Sequence, residues 1–495
     1  MKMRAPLSLV QVLFLLLSLN TVIFAQNAAN GNFPRIEPDQ KAREFLRRGA
    51  ENSGHSWTLL AEISLWASGG KTSPHLEQIH AAASAMAKTP GFPAQNRAKA
   101  EFILEYMHKN LLKSYSFHQS GVDTLLASGH YNCVSSAVLY MLLCKSAGLD
   151  VSGVMTRDHA FASVRINGEV IDVETTNPYG FDPGNRKEFH DEFGRLTGFA
   201  YVPTRNYRDR QNISPIELVS LIMSNRISEL ERRNLFTESI PLAADRAALL
   251  SGRGQSAAAE RPFFGNPRQD LMDRLFNYSA FLLNSGREED CLRWAAFASP
   301  RYPDEKRWHE ITMAAANNRI TKYIRQNHFS EARNFLDAQK AILDHVSYAQ
   351  LDTLLLDTEL LNRANRIKSA AEGDSVVRVI EEARLNRRIG NSRGIELLNF
   401  AVQKTASALA AERDWIAAIN YIKSAINRLG STRELEQSLR SYQSNLAADF
   451  HNRFAAAWNR GNFDEAERIL NEGLAELPAD RQLLADRETV RRYRH

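Results

Sequence analysis

The sequence predicts an α+β domain over residues 33–214, followed by an all-α region over residues 215–495. Three observations support that division. Short β-rich runs are confined to one window, at Val151 to Met155, His159 to Ile166 and Glu169 to Val173. From Pro215 onward, apolar residues recur at helical spacing almost to the end of the chain. That second half also repeats one short pattern: a turn residue, an aromatic two residues later and a small residue three beyond it.

Taken in order, residues 1–26 have the make-up of a secretory signal peptide. Lys2 and Arg4 form a basic start, Leu7 to Phe24 an apolar run, and Ala25 and Ala28 supply small residues before polar sequence begins. The run approaches the length of a spanning helix, so an uncleaved anchor is the alternative. The expected location is outside the first membrane, periplasmic or extracellular. Glu37 to Leu126 is mainly helical, with apolar patches at Leu59, Leu60, Ile63, Leu65 and Trp66, and at Ala98, Phe102, Ile103, Tyr106 and Met107. A further helix follows from Val134, with Gly148 as its stop. Asn167-Gly168 between the last two β-rich runs is a strong hairpin signal. Asn177 to Asn212 is an irregular, Gly/Pro/Asp-rich segment closing the domain, and a Gly/Ala/Ser-rich linker lies around Ser251 to Arg261.

The repeated pattern is clearest at Gly461, Phe463 and Ala466, with Leu470, Leu474 and Pro478 after it. It recurs at Arg413, Trp415 and Ala418, at Asn327, Phe329 and Ala332, at Asn234, Phe236 and Ser239, and more loosely at Gly286 and Cys291. It resembles the second half of a tetratricopeptide repeat, which implies a solenoid that binds a protein or peptide. An irregular helical bundle is the alternative.

Composition excludes several classes. The chain is 44% hydrophobic and 24% charged, with a formal charge of +5. Removal of Lys2 and Arg4 leaves about +3, too weak a field to suggest nucleic-acid binding. There is no phosphate loop or dinucleotide fingerprint, and His118, His130 and His190 have no metal-ligand spacing, so no cofactor or metal is expected. No stretch after the first is apolar enough to suggest a membrane span. Three cysteines, Cys133, Cys144 and Cys291, do not make a disulfide scaffold. Eleven residues along one helix put Cys133 and Cys144 about 16 Å apart, against the roughly 7 Å between Cα atoms that a disulfide allows. Cys291 occupies the small packing position of its repeat.

Cys133 carries the chemistry. A thiol nucleophile needs an activated sulfur, a base and a group orienting that base. Asn132 is a suitable N-cap, placing Cys133 in the first helical turn. There, unpaired backbone N–H groups and the positive end of the helix dipole favour a thiolate. His159 opens a strand after the polar turn Thr156-Arg157-Asp158. In a two-residue hairpin turning at Asn167-Gly168, His159 faces Thr176 and Glu174 is its diagonal neighbour, roughly 7–8 Å away. Asp172 lies opposite Ser163, roughly 13 Å further along at about 3.4 Å per residue. The unbulged hairpin favours Glu174 as orienting acid; a slip or bulge would bring in Asp172.

These residues resemble the core of the transglutaminase-like superfamily, a cysteine-protease-like fold with a papain-type Cys-His-acid site. The stretch Cys133-Val134-Ser135-Ser136-Ala137-Val138-Leu139-Tyr140, ending at Gly148-Leu149, is similar to the family's nucleophile helix. His159-Ala160-Phe161-Ala162-Ser163-Val164 is similar to its His strand, and Val173-Glu174-Thr175-Thr176 to the end of its acid strand. The resemblance implies Cys133 as nucleophile, His159 as general base and acid, and Glu174 as orienting carboxylate. The chain departs from the family in having Glu for Asp, Phe161 where Trp is common, and a short interval between Cys133 and His159. The Cys133 backbone N–H is a natural oxyanion donor, with Asn132 and Tyr131 as candidates for the second.

Two functions are expected from this reading. One is an exported thiol acyltransferase, amidase or peptidase acting on protein or peptide amides. The other is a non-catalytic scaffold that uses the helical repeats to grip a partner.

Overall fold

In the computed structural model, residues 33–51, 55–183, 210–251 and 264–494 are described. The expected export segment, most of the irregular segment after Asn177 and nearly all of the linker after Ser251 lie outside them. The described chain is mostly helical with a small sheet. It divides into two compact units, residues 1–308 and 309–495.

The first unit runs α1 (Gln40–Glu51), α2 (Trp57–Ser68), α3 (Thr72–Ala87), α4 (Asn96–Asn110), β1 (Ser114–Tyr115), α5 (Val122–Ser128), β2 (His130–Tyr131) and α6 (Cys133–Ser146). It continues with β3 (Asp150–Met155), β4 (Ala160–Ile166), β5 (Glu169–Val173) and β6 (Gln211–Ile213). The helices α7 (Pro215–Arg232), α8 (Phe236–Leu250), α9 (Pro267–Asn284) and α10 (Glu288–Ala298) complete it.

Helix α6 is buried on every side from Val134 to Cys144, as a helix apolar all round must be. It packs against β3 and β4 and against α2, α4 and α7. Gly148 ends it in a left-handed turn (φ 81°), as its sequence predicts. The sheet is antiparallel with order β5-β4-β3-β6. Asn167 (φ 51°) and Gly168 (φ 87°) form the hairpin turn, whose two positive φ values match the twist of the flanking strands. Ile166 then faces Glu169, and Ser163 faces Asp172, the register expected of an unslipped hairpin.

The expected boundary at 214/215 marks the end of the sheet but not of the packing. Helix α7 starts with Pro215 behind a reciprocal Ser214–Glu217 capping box. Its residues Ile216, Leu218, Val219, Ile222 and Met223 enter the same core cluster as α6. The chain before α1 also returns to these helices. The Phe33 ring packs against Trp294 and Phe297 at 5.5 and 5.8 Å. Arg35 makes a two-pronged pair with Asp245 at 3.0 and 2.9 Å, and Tyr302 donates to the Ile36 carbonyl at 3.0 Å. These contacts carry the first unit through Trp308.

The elements of the second unit are all helices among its described residues: α11 (Trp308–Arg325), α12 (Phe329–Ala338), α13 (His345–Asn365), α14 (Ala370–Leu385), α15 (Asn391–Ala411), α16 (Trp415–Leu429), α17 (Arg433–Asn459), α18 (Phe463–Glu476) and α19 (Arg481–Arg494). The repeated sequence pattern has a common geometry in both units. Asn234, Gly286, Asn327, Arg413 and Gly461 all take positive φ. The next N–H in each case, at Leu235, Arg287, His328, Asp414 and Asn462, donates to the carbonyl five residues back. This is the Schellman arrangement, in which a left-handed residue satisfies the orphan carbonyls of the preceding helix. The small residues of the pattern, Ser239, Cys291, Ala332, Ala418 and Ala466, are buried where the helices of each pair meet. No helix among the described residues is long and apolar enough to cross a membrane.

Candidate active site

Cys133 is the first residue of α6, and its position is fixed by the side chain just before it. The Asn132 side-chain oxygen Oδ1 accepts from the Val134 and Ser135 N–H groups at 3.0 and 3.1 Å. Ser135 Oγ accepts in return from the Asn132 N–H at 2.9 Å, a reciprocal capping box. The Asn132 amide then donates to the Phe117 carbonyl at 3.0 Å and to Ser120 Oγ at 2.9 Å. The chain is steered into this turn by β1, whose Tyr115 pairs in parallel with Tyr131 of β2. Cys133 is half-buried, whereas Cys144 and Cys291 are fully buried, and all three thiols are free.

His159 directly precedes β4. Its backbone is held where its carbonyl accepts from the Thr156 N–H at 2.9 Å. Its ring stacks on Phe161, with centroids 6.1 Å apart. The Nε2–H donates to Glu174 Oε2 at 2.5 Å, and the imidazole is hydrogen-bonded to the Cys133 thiol. Nε2 is committed to the carboxylate, so Nδ1 is the ring nitrogen left for the sulfur. Glu174 lies just past the end of β5 and is 3% exposed. Its second oxygen accepts from Thr176 twice, from N–H at 3.1 Å and Oγ1–H at 2.7 Å.

Burial opposes charge on both partners of this pair, and specific contacts outweigh it. Desolvation pulls the His159 pKa down, but the Glu174 charge and the hydrogen bonds to Cys133 and Glu174 raise it well above the usual imidazole value. Desolvation likewise pushes Glu174 up, but His159 and the two Thr176 bonds bring it below the usual carboxylate value. His159 is therefore the proton-bearing partner and Glu174 the anion.

Asp172 is placed elsewhere. Both its oxygens accept from Arg210, at 2.7 Å each. The guanidinium in turn lies 5.8 Å from the centre of the Phe161 ring, the ring that supports His159. With both oxygens committed, Asp172 does not orient His159; it anchors the ring beneath it. The unslipped register explains why Glu174, past the strand end, reaches the imidazole. Asn132 and Tyr131 also turn out to be spoken for as oxyanion donors. The Asn132 amide is used twice, and the Tyr131 hydroxyl donates to the Thr176 carbonyl at 3.3 Å.

Several supporting residues carry no local sequence signal. His108 of α4 bonds the Thr175 carbonyl at 3.1 Å through Nε2, and burial brings its pKa down to about 4, so it is a neutral donor. Ser136 of α6 joins Thr175 through hydroxyls 2.8 Å apart. The Glu174 N–H donates to the Gly180 carbonyl at 2.8 Å, and a Cβ at Gly180 would fall 1.9 Å from the Glu174 carbonyl oxygen. The acid is thus clamped from α4, α6 and its own loop. Of these, Ser136 lies in the stretch similar to the nucleophile helix and Thr175 in that similar to the acid strand, whereas His108 and Gly180 lie in neither.

No protein-family model matches this chain, and no curated protein matches it. Among solved structures, the chain is similar to menin, in a crystal structure described as revealing its binding site for the Mixed Lineage Leukemia (MLL) protein. That likeness has a TM-score of 0.32 and 14% identity, covering 83% of this chain and 92% of menin, too low to bear on fold or function.

Proposed function

We propose that the chain is an exported, transglutaminase-like thiol acyltransferase or hydrolase acting on protein or peptide amides. The observation that carries this reading is the unbroken line Cys133–His159–Glu174, with a half-buried sulfur at a helix start beside a histidine held protonated by a buried carboxylate. A positive imidazole next to a thiol favours the thiolate. The thiolate attacks the amide carbonyl; the S–C bond forms and the carbonyl electron pair moves onto oxygen. Collapse of the adduct breaks the C–N bond, and ammonia or an amine leaves with the His159 proton. Water or an amine then attacks the thioester, gives a proton to His159 and frees the sulfur.

The paired helices, with their recurrent left-handed turns, support tetratricopeptide-like repeats as a protein-binding region that brings substrates to the thiol. The same turns favour a second reading in which binding alone is the function. The two separate in one experiment. An extracellular protein extract is incubated with the purified full chain, an added primary amine and, in parallel, the Cys133→Ala variant. Mass spectrometry reads deamidation, amine incorporation and cleavage. The thiol reading expects products that are absent with Cys133→Ala. Products that persist in the variant, or none with either protein, contradict it.

A further inference from the structure

We propose that Tyr115 is the second oxyanion donor of this site, its phenol O–H completing the pocket that the Cys133 backbone N–H begins. The inference rests on the thiol reading above. Its starting point is placement: β1 pairs in parallel with β2, so Tyr115 stands in register with Tyr131, two residues before the nucleophile. The two rings meet edge to face with centroids 6.0 Å apart, which fixes the orientation of Tyr115.

Most neighbouring side-chain donors are engaged. Tyr131 donates to the Thr176 carbonyl, the Asn132 amide to Phe117 and Ser120, and one of the two Gln119 amide N–H groups to the Gly121 carbonyl at 2.9 Å. His108 Nε2 is held by Thr175. The Tyr115 hydroxyl has no hydrogen-bond partner among the described residues, although the side chain, like that of Cys133, packs against the core of the first unit. A phenol O–H engaged by no protein acceptor is free to donate, and a carbonyl oxygen turning into an oxyanion at the sulfur would accept from it. The electrostatics agree with a donor role. Burial first, then the nearby charges of Cys133 and Glu174, push Tyr115 above the usual phenol range, so it keeps its proton while the thiolate is formed. Such a donor stabilises charge that exists only in the tetrahedral adduct, which is what accelerates acyl transfer.

Two probes of Cys133 separate this role from any effect on the thiol. p-Nitrophenyl acetate acylates the sulfur through a tetrahedral oxyanion and expels p-nitrophenolate. Iodoacetamide alkylates it by displacing iodide, with no oxyanion. For Tyr115→Phe, the nitrophenolate burst is expected to slow about a hundredfold, the scale for losing one oxyanion donor, while alkylation stays within about twofold. Tyr131→Phe serves as the matched control, since its hydroxyl is structural; it changes both rates together or neither. If Tyr115→Phe leaves both rates intact, or lowers both equally, Tyr115 is not the donor, and the thiol reading survives. If the unaltered protein gives no burst beyond that of Cys133→Ala, the thiol reading itself falls, and the donor role with it.

Discussion

Replacing Glu174 by glutamine changes one oxygen to an amide, and the surrounding bonds dictate which way that amide faces. Thr176 supplies two donors to one Glu174 oxygen, at 3.1 and 2.7 Å, so the glutamine carbonyl must stay there. The amide N–H groups then face His159 Nε2, where a donor already points in the native protein. The imidazole is driven to the tautomer with its proton on Nδ1, and Nδ1 can no longer take the thiol proton. An ordinary thiol with a pKa of about 8.5 is about 0.3% thiolate at pH 6, so a Cys133 without an imidazole to take its proton has little thiolate to offer there. A thiolate paired with an imidazolium is also less nucleophilic than a free one, with a Brønsted slope of about 0.4–0.5, which offsets part of the advantage the pair gives. Alkylation of Glu174→Gln by iodoacetamide is therefore expected on the order of tenfold slower than the parent at pH 6. Above pH 9 the variant meets or overtakes it. Asp172→Asn keeps the parental profile within about twofold and instead costs about 1–3 kcal/mol of stability, because it replaces a carboxylate that bonds the Arg210 guanidinium through both oxygens. A Glu174→Gln profile superimposed on the parent, or the tenfold loss in Asp172→Asn instead, would refute the reasoning.

Three further outcomes are expected. Asn132→Ala removes the cap of α6 and two bonds to the loop holding Phe117 and Ser120, and should lower unfolding free energy by about 1–2 kcal/mol in urea titration; an unchanged midpoint would show that the cap does not hold the helix start. Gly180→Ala forces a Cβ against the Glu174 backbone, which has no flexible side chain to yield, so it should cost about 1–3 kcal/mol and slow Cys133 alkylation as well; parental values for both would show that the loop has room. The pH dependence of stability follows from the two opposite shifts. Glu174, lowered on folding, contributes stability above the usual carboxylate value of about 4.3 and loses it as pH falls through its folded value. His159, raised on folding, contributes fully below about 6.5 and loses it as pH rises through its folded value. The Tm difference between the parent and a Glu174→Gln/His159→Gln double variant should be largest between about pH 4.3 and 6.5. A difference that keeps growing above pH 8 would contradict these directions.

The features legible in the sequence were those set by neighbours along the chain. The Asn132 cap, the Asn167-Gly168 turn and the left-handed turns at Asn327 and Gly461 are local backbone preferences, and each left a residue-type signal. The unslipped hairpin also allowed Glu174 to be ranked ahead of Asp172 from register alone. What stayed hidden depends on tertiary packing. Arg210 is remote in sequence from Asp172, so the competing ion pair that occupies this carboxylate has no local signature. His108 and Tyr115 reach the site from α4 and from a two-residue strand too short to show periodicity. The expected boundary at 214/215 differs from the division into compact units after Trp308, because the apolar positions of α7 specify a buried face but not which core buries it.

The central claim is that Cys133 is an activated nucleophile, and limited alkylation of the native full-length chain tests it most directly. Substoichiometric iodoacetamide at pH 6, followed by peptide mapping, should label Cys133 at least about tenfold faster than a model thiol, whose thiolate is scarce at that pH. The buried Cys144 and Cys291 should remain unlabelled. A Cys133 that reacts no faster than the model thiol at pH 6 would contradict the account.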